Sequence, residues 1–215
     1  MKKMRFNLIA ALSCLCTQLM AHPHEFYDSG ADFTFDEQGR LASVRIVWIY
    51  DAFTSLYVLS EHGLDPTVSP QGDALDALLL TQVGWTAEQW DGDAYLNDAQ
   101  GRNVPLGDPR NAIASVYDGR LIVVFERPVL QPVDMSGGPV EMLIYDPGFY
   151  AQYDIVKRPR ITGRDDCQAE IIKFRLTPEA ALKLTDLMSL TIDETPDDPN
   201  VGAEFSDRVV LRCAP

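Results

Sequence analysis

Residues 26–35 and 44–50 are two apolar-rich, partly alternating runs separated by Asp36-Glu37-Gln38-Gly39-Arg40, which is turn chemistry, so the segment predicts a β-hairpin. The same punctuation returns at Asn97-Asp98-Ala99-Gln100-Gly101-Arg102. It returns again at Tyr117-Asp118-Gly119-Arg120, where Asp-Gly suits a type I′ turn between strands at residues 113–116 and 121–125. Hairpin chemistry recurs, but no repeat is long enough to indicate a duplicated domain.

Three stretches change to helical signals. One runs from Asp51 or Ala52 to about Glu61 and stops at His62-Gly63. A second starts at Asp73 and passes Leu80 towards Trp90, with Leu75, Leu78, Leu79 and Val83 on one stripe. The third follows Thr177-Pro178-Glu179, a capping hydroxyl and an N1 proline, and continues through Leu182, Leu184 and Leu187, which read as core positions. Residues 140–145, 168–176 and 208–212 predict further strands, and Asp193-Glu194-Thr195-Pro196-Asp197-Asp198-Pro199 an acidic loop. The expected architecture is α+β: one antiparallel, β-rich, sandwich-like domain with two or three helices.

The first residues alter this picture. Lys2, Lys3 and Arg5 precede a mostly apolar run over residues 6–16, and Leu19-Met20-Ala21 ends on a small residue, which together predict a signal peptide over residues 1–21. The run is too short to cross a bilayer, so the expectation is a periplasmic protein, residues 22–215, with no membrane insertion once the signal is gone. A retained anchor, or a lipid on Cys14 or Cys16, is the competing account. The signal carries three of the 18 basic residues and none of the 32 acidic ones, so the mature chain has 15 against 32, a formal charge of −17. Such a surface repels phosphate and argues against nucleic acid as a partner. Cys167 and Cys213 are left as an even pair in an oxidising compartment, which predicts a disulfide.

Of the three histidines, His22 and His24 fall within the first three residues of the predicted mature chain. A freed α-amine and two imidazoles offer neutral nitrogen lone pairs near pH 7. Pro23 has no amide proton, which rules out the backbone-nitrogen site of an amino-terminal X-X-His motif and leaves a histidine brace or an open bis-imidazole site. Such ligands suit Cu, Ni, Co or Zn without choosing among them. Pairing across the first hairpin, with paired numbers summing to about 76 or 77, puts His24 opposite residues 51–53. Asp51 is therefore the candidate carboxylate ligand and His62, one helix later, a candidate third imidazole. Asp28 shares the strand face of His24 but lies about 13 Å along it, which suits a supporting or structural role.

His22-Pro23-His24 after a signal, then Phe26-Tyr27-Asp28, Val47-Trp48-Ile49-Tyr50-Asp51, Tyr145-Asp146-Pro147-Gly148-Phe149-Tyr150 and Phe205-Ser206-Asp207-Arg208-Val209, taken in this order, resemble the DUF1007 family of bacterial periplasmic proteins. The resemblance implies a periplasmic component of a transport system, with a nickel/cobalt-type membrane exporter as candidate partner. Where members carry Asp-Pro-Thr-Tyr-Tyr, this chain has Gly148 and Phe149 in place of the two hydroxyl residues.

The functional expectation is a periplasmic accessory protein that presents a divalent transition metal, held by His22, His24, Asp51 and His62, to a membrane metal transporter. Two other classes compete: a copper-brace oxidative enzyme, and a metal-free solute-binding or interaction module of a transporter complex. No P-loop, dinucleotide fingerprint or Gly-x-Ser-x-Gly motif supports nucleotide or hydrolytic chemistry, and no catalytic residue is assigned.

Overall fold

A computed structural model describes residues 22–191 and 194–214. The predicted signal peptide and Asp193 of the acidic loop lie outside them. Strands β1 (Glu25–Phe35) and β2 (Leu41–Tyr50) form the expected hairpin, followed by α1 (Ala52–Glu61) and α2 (Asp73–Val83). Then come β3 (Ala94–Asn97), β4 (Arg110–Tyr117), β5 (Arg120–Val133), β6 (Val140–Ile144), β7 (Ala151–Ile155), β8 (Ile161–Thr162) and β9 (Cys167–Ile172). Helix α3 (Pro178–Ser189) and β10 (Arg208–Cys213) close the chain.

The strands make two sheets. One runs β4-β5-β2-β1-β7, with β8 also on β1, and the other β3-β6-β10-β9. Most pairings are antiparallel, but β7 and β8 lie parallel to β1. Strand alternation makes the core: Phe33, Ile46, Trp48, Leu121, Val123 and Phe125 of the first sheet join Leu96, Met142, Ile144, Val209 and Leu211 of the second in one buried cluster. The fold is the α+β, antiparallel-rich arrangement that the pattern predicts.

Local rules account for the parts. In the hairpin Tyr27 pairs with Tyr50 and Phe33 with Val44, a register summing to 77. Asp118 and Gly119 both take positive φ, as a type I′ turn needs. Thr177 caps α3 by accepting from the Ala180 amide at 3.2 Å. Cys167 and Cys213 are disulfide-bonded across the β9–β10 pair.

Some expectations are corrected. Helix α2 stops at Val83, because Gly84 ends it with a last bond to the Leu80 carbonyl. Strand β9 stops at Ile172, because the next two residues turn to Asp207: Lys173 Nζ at 2.6 Å and the Phe174 amide at 2.8 Å. Leu182 of α3, read as core, is 70 % exposed, while Leu187 is buried. Strands β3, β7 and β8 have no counterpart in the sequence pattern. Each is short, and polar positions interrupt its apolar ones.

Candidate metal centre

His22 and His24 lead into β1, and their place is fixed by a turn far along the chain. Between β6 and β7 the Asp146 carboxylate accepts the amides of Gly148 at 3.0 Å, Tyr150 at 2.6 Å and Ala151 at 3.0 Å. These charge-assisted bonds wrap the turn around one side chain. Phe149 takes a left-handed φ of 58° and is buried against Phe205 at a ring separation of 4.7 Å. Non-glycine residues in that region cost about 1–3 kcal/mol, here offset by the apolar cluster of Phe149, Leu187, Val201 and Phe205. With Phe149 turned inwards Tyr150 faces out, and no hydroxyl is called for at position 149.

Tyr150 is the floor of the site. Its carbonyl accepts the His24 amide at 2.7 Å, the first contact of the parallel β1–β7 pair. Its ring lies 4.5 Å from the His24 ring and 6.0 Å, edge-on, from the His22 ring. The two imidazoles are 5.2 Å apart. His22 is buried, and Nδ1 of His22 and Nε2 of His24 are both enclosed without a hydrogen-bond partner. A buried polar atom left unpaired costs about 1–3 kcal/mol, so two such atoms on neighbouring rings call for an explanation. Desolvation, reinforced by the charge of His24 and opposed by Asp146, lowers the His22 pKa and favours the neutral ring that a metal needs.

The spacing fits one ion. Two imidazoles bound through nitrogen at about 2.0–2.1 Å put their ring centres about 4.5 Å apart at a right-angled bond and about 6.4 Å apart when opposed. The observed 5.2 Å falls between these limits.

The other two candidates lie elsewhere. Asp51 is the N-cap of α1: Oδ1 accepts the amides of Phe53 at 2.7 Å and Thr54 at 3.0 Å, and Oδ2 accepts the Thr54 hydroxyl at 2.6 Å and the Phe26 amide at 3.3 Å. Desolvation opposes these bonds, yet they hold its carboxyl below the usual range. The hairpin register is as expected, but β2 turns into α1 before it could reach His24, which pairs with β7 instead. His62 closes the other end of α1, about 15 Å along the axis, where Nε2 is 3.0 Å from Thr81 Oγ1. Asp28 is paired with Arg120 at 2.6 Å, and the same guanidinium donates to the carbonyls of Tyr50 and Ile49. Among the described residues no group of three or more His, Cys, Asp or Glu side chains converges on one point.

Sequence reasoning missed Tyr150 as the floor and Asp146 as its organiser. The Asp-Pro-Gly turn signal was visible, but its partner was not. No described helix is long and apolar enough to cross a membrane. A search of curated proteins finds no match to the chain. The family model described as a protein of unknown function, DUF1007, matches residues 7–213 of the 215, and the protein belongs to that family.

Proposed function

We propose that the protein is a periplasmic accessory component of a transition-metal transport system, of the nickel/cobalt type, and that His22 and His24 hold a divalent ion. One observation carries this reading: two neighbouring imidazoles enclose Nδ1 of His22 and Nε2 of His24, and neither atom has a hydrogen-bond partner. A cation answers both lone pairs at once. Signal cleavage after Ala21 would add the α-amine of His22, and Nδ1 is the ring nitrogen close enough to Cα to share a small chelate ring with it. Two or three protein ligands leave coordination positions open, as a protein that hands its ion to a transporter requires. The acidic exterior, with 32 Asp and Glu residues against 15 Lys and Arg once the signal is gone, raises the local cation concentration. Asp51 and His62 stay with the helix ends they serve.

Calorimetric titration with Cu(II), Ni(II), Co(II) and Zn(II) tests this on protein beginning at His22, beside protein with one extra residue in front. Binding to the first, weakened by an order of magnitude or more in the second, is the expected result. Unchanged uptake after His22→Ala and His24→Ala together overturns the reading.

A further inference from the structure

All three tryptophans of the chain lie in one aromatic cluster that runs inwards from the surface. Trp90 is 38 % exposed, and its ring is 5.9 Å from that of Trp48. Trp48 is 6.2 Å from Tyr153, which stacks on Tyr27 at 4.8 Å with the rings 14° from parallel. Tyr27 lines a surface hollow with Phe26, Asp28, Asp51, Arg120 and Asp154. Four oxidisable rings thus form an unbroken path from a part-exposed indole, Trp90, to a buried phenol, Tyr27, at the lining of the hollow.

Packing explains the rings but not their polar partner. Asp93, 5 % exposed, accepts the Tyr153 hydroxyl at 2.8 Å on one oxygen and the Trp90 indole N–H at 3.1 Å on the other. A carboxylate inside an aromatic core destabilises the fold relative to an apolar residue of similar size. Burial pushes its pKa up to about 7, with the Tyr153 and Trp90 bonds opposing and the Asp146 and Asp91 charges adding to the rise. The Trp48 indole N–H, in contrast, is enclosed and has no acceptor.

A phenol gives up an electron readily only when its proton has somewhere to go. An indole without an acceptor keeps its proton and returns quickly to its reduced form. The three environments therefore assign three roles, and they do so whether or not the histidines bind metal. We propose that Trp90, Trp48, Tyr153 and Tyr27 form a one-electron relay in which Asp93 takes the Tyr153 proton. A diffusible one-electron oxidant removes an electron from exposed Trp90. Trp48 passes an electron outwards to Trp90 and is refilled from Tyr153. As Tyr153 is oxidised its hydroxyl proton crosses to Asp93 Oδ2, leaving a neutral phenoxyl radical, a protonated carboxyl, two reduced indoles and one reduced oxidant. The stacked Tyr27, itself buried, shares the hole and carries it to the lining of the hollow.

Flash photolysis with a ruthenium(III) polypyridyl oxidant, followed by freeze-quench electron paramagnetic resonance, tests the relay on the full protein. An indolyl signal that gives way to a phenoxyl signal is expected. Tyr153→Phe with Tyr27→Phe should cut the phenoxyl yield by an order of magnitude and prolong the indolyl signal, whereas exposed Tyr117→Phe should change neither. Trp90→Phe, which keeps a ring against Trp48 and Trp85 and is checked for native fold by circular dichroism, should suppress the buried phenoxyl, and raising the pH through 7 should speed its formation. A phenoxyl signal that survives Trp90→Phe undiminished, or that Tyr117→Phe removes, overturns the proposal.

Discussion

Asp146 and Asp93 each hold a tyrosine of one short stretch, Tyr150 and Tyr153, and they do so in opposite surroundings. Asp146 works through three backbone amides at the rim and sets a loop, leaving the Tyr150 ring free to face the histidines. Asp93 works through two neutral side-chain donors inside the core, and its charge is poorly solvated there. The first arrangement uses a carboxylate to fix geometry. The second strains the ionised form and keeps a carboxyl close to its titration point. One residue type thus serves as a scaffold at one end of β7 and as a proton station near its middle.

The largest effect expected from this contrast is on stability against pH. The folded-state pKa of Asp93 is raised from 3.8 to about 7, so its favourable contribution is complete below the unfolded value and is lost as pH rises through the folded one. Across pH 4 to 8 this removes on the order of a few kcal/mol, because a tenfold change in proton affinity corresponds to about 1.4 kcal/mol. Depressed carboxyls such as Asp32 and Asp51 work in the other direction, so the comparison must be with Asp93→Asn. At pH 4 the protonated carboxyl and the Asn amide each offer one accepting oxygen to Trp90 and a donor to the Tyr153 oxygen, so the variant should lie within about 1–2 kcal/mol of the parent there. Relative to the parent it should gain a few kcal/mol by pH 8, read from urea unfolding at each pH. A difference that does not change with pH would mean that Asp93 is ionised throughout.

Asp146→Ala should come next, at about 1–3 kcal/mol, because three backbone amides, two of them half-buried, lose their acceptor. Asp146→Asn keeps one accepting oxygen and should cost less. The sharper readout is metal affinity. If the Asp146 turn positions Tyr150 under the histidines, the alanine variant binds Zn(II) or Ni(II) more weakly, while Asp93→Asn leaves that affinity alone. Equal effects from the two would mean that only global stability was measured.

These regions also differ in how far residues alone reveal them. The β1–β2 register followed from an alternating pattern and a turn, both local, and His22 and His24 stood out by their position in the chain. Asp51 could have been read correctly as well: an aspartate directly before a helix is a preferred N-cap, and capping occupies the lone pairs a ligand would need. Tyr150 could not, because its contact with His24 rests on a parallel pairing of strands far apart in sequence, and β7 has too few residues for its period to register. Asp93 was invisible for a different reason. Its partners come from a loop and a strand of the other sheet, and nothing near Asp91-Gly92-Asp93 distinguishes it from an ordinary acidic turn.

The smallest effect expected is also the most direct probe of the histidine pair. In metal-free protein the His22 ring titrates below the ordinary 6.5, first because it is desolvated and next because a charge on His24 repels its own. Below that point the ring becomes charged, so the share of stability due to the neutral ring is lost as pH falls through the depressed value. His24→Asn removes the second cause and keeps the first. The His22 pKa, followed by nuclear magnetic resonance of the ring protons, should therefore rise part of the way towards 6.5. Asp146→Asn removes an opposing charge and should lower it further. If neither variant moves the His22 titration, the two rings do not share one electrostatic site, and convergence on a single cation loses its physical basis.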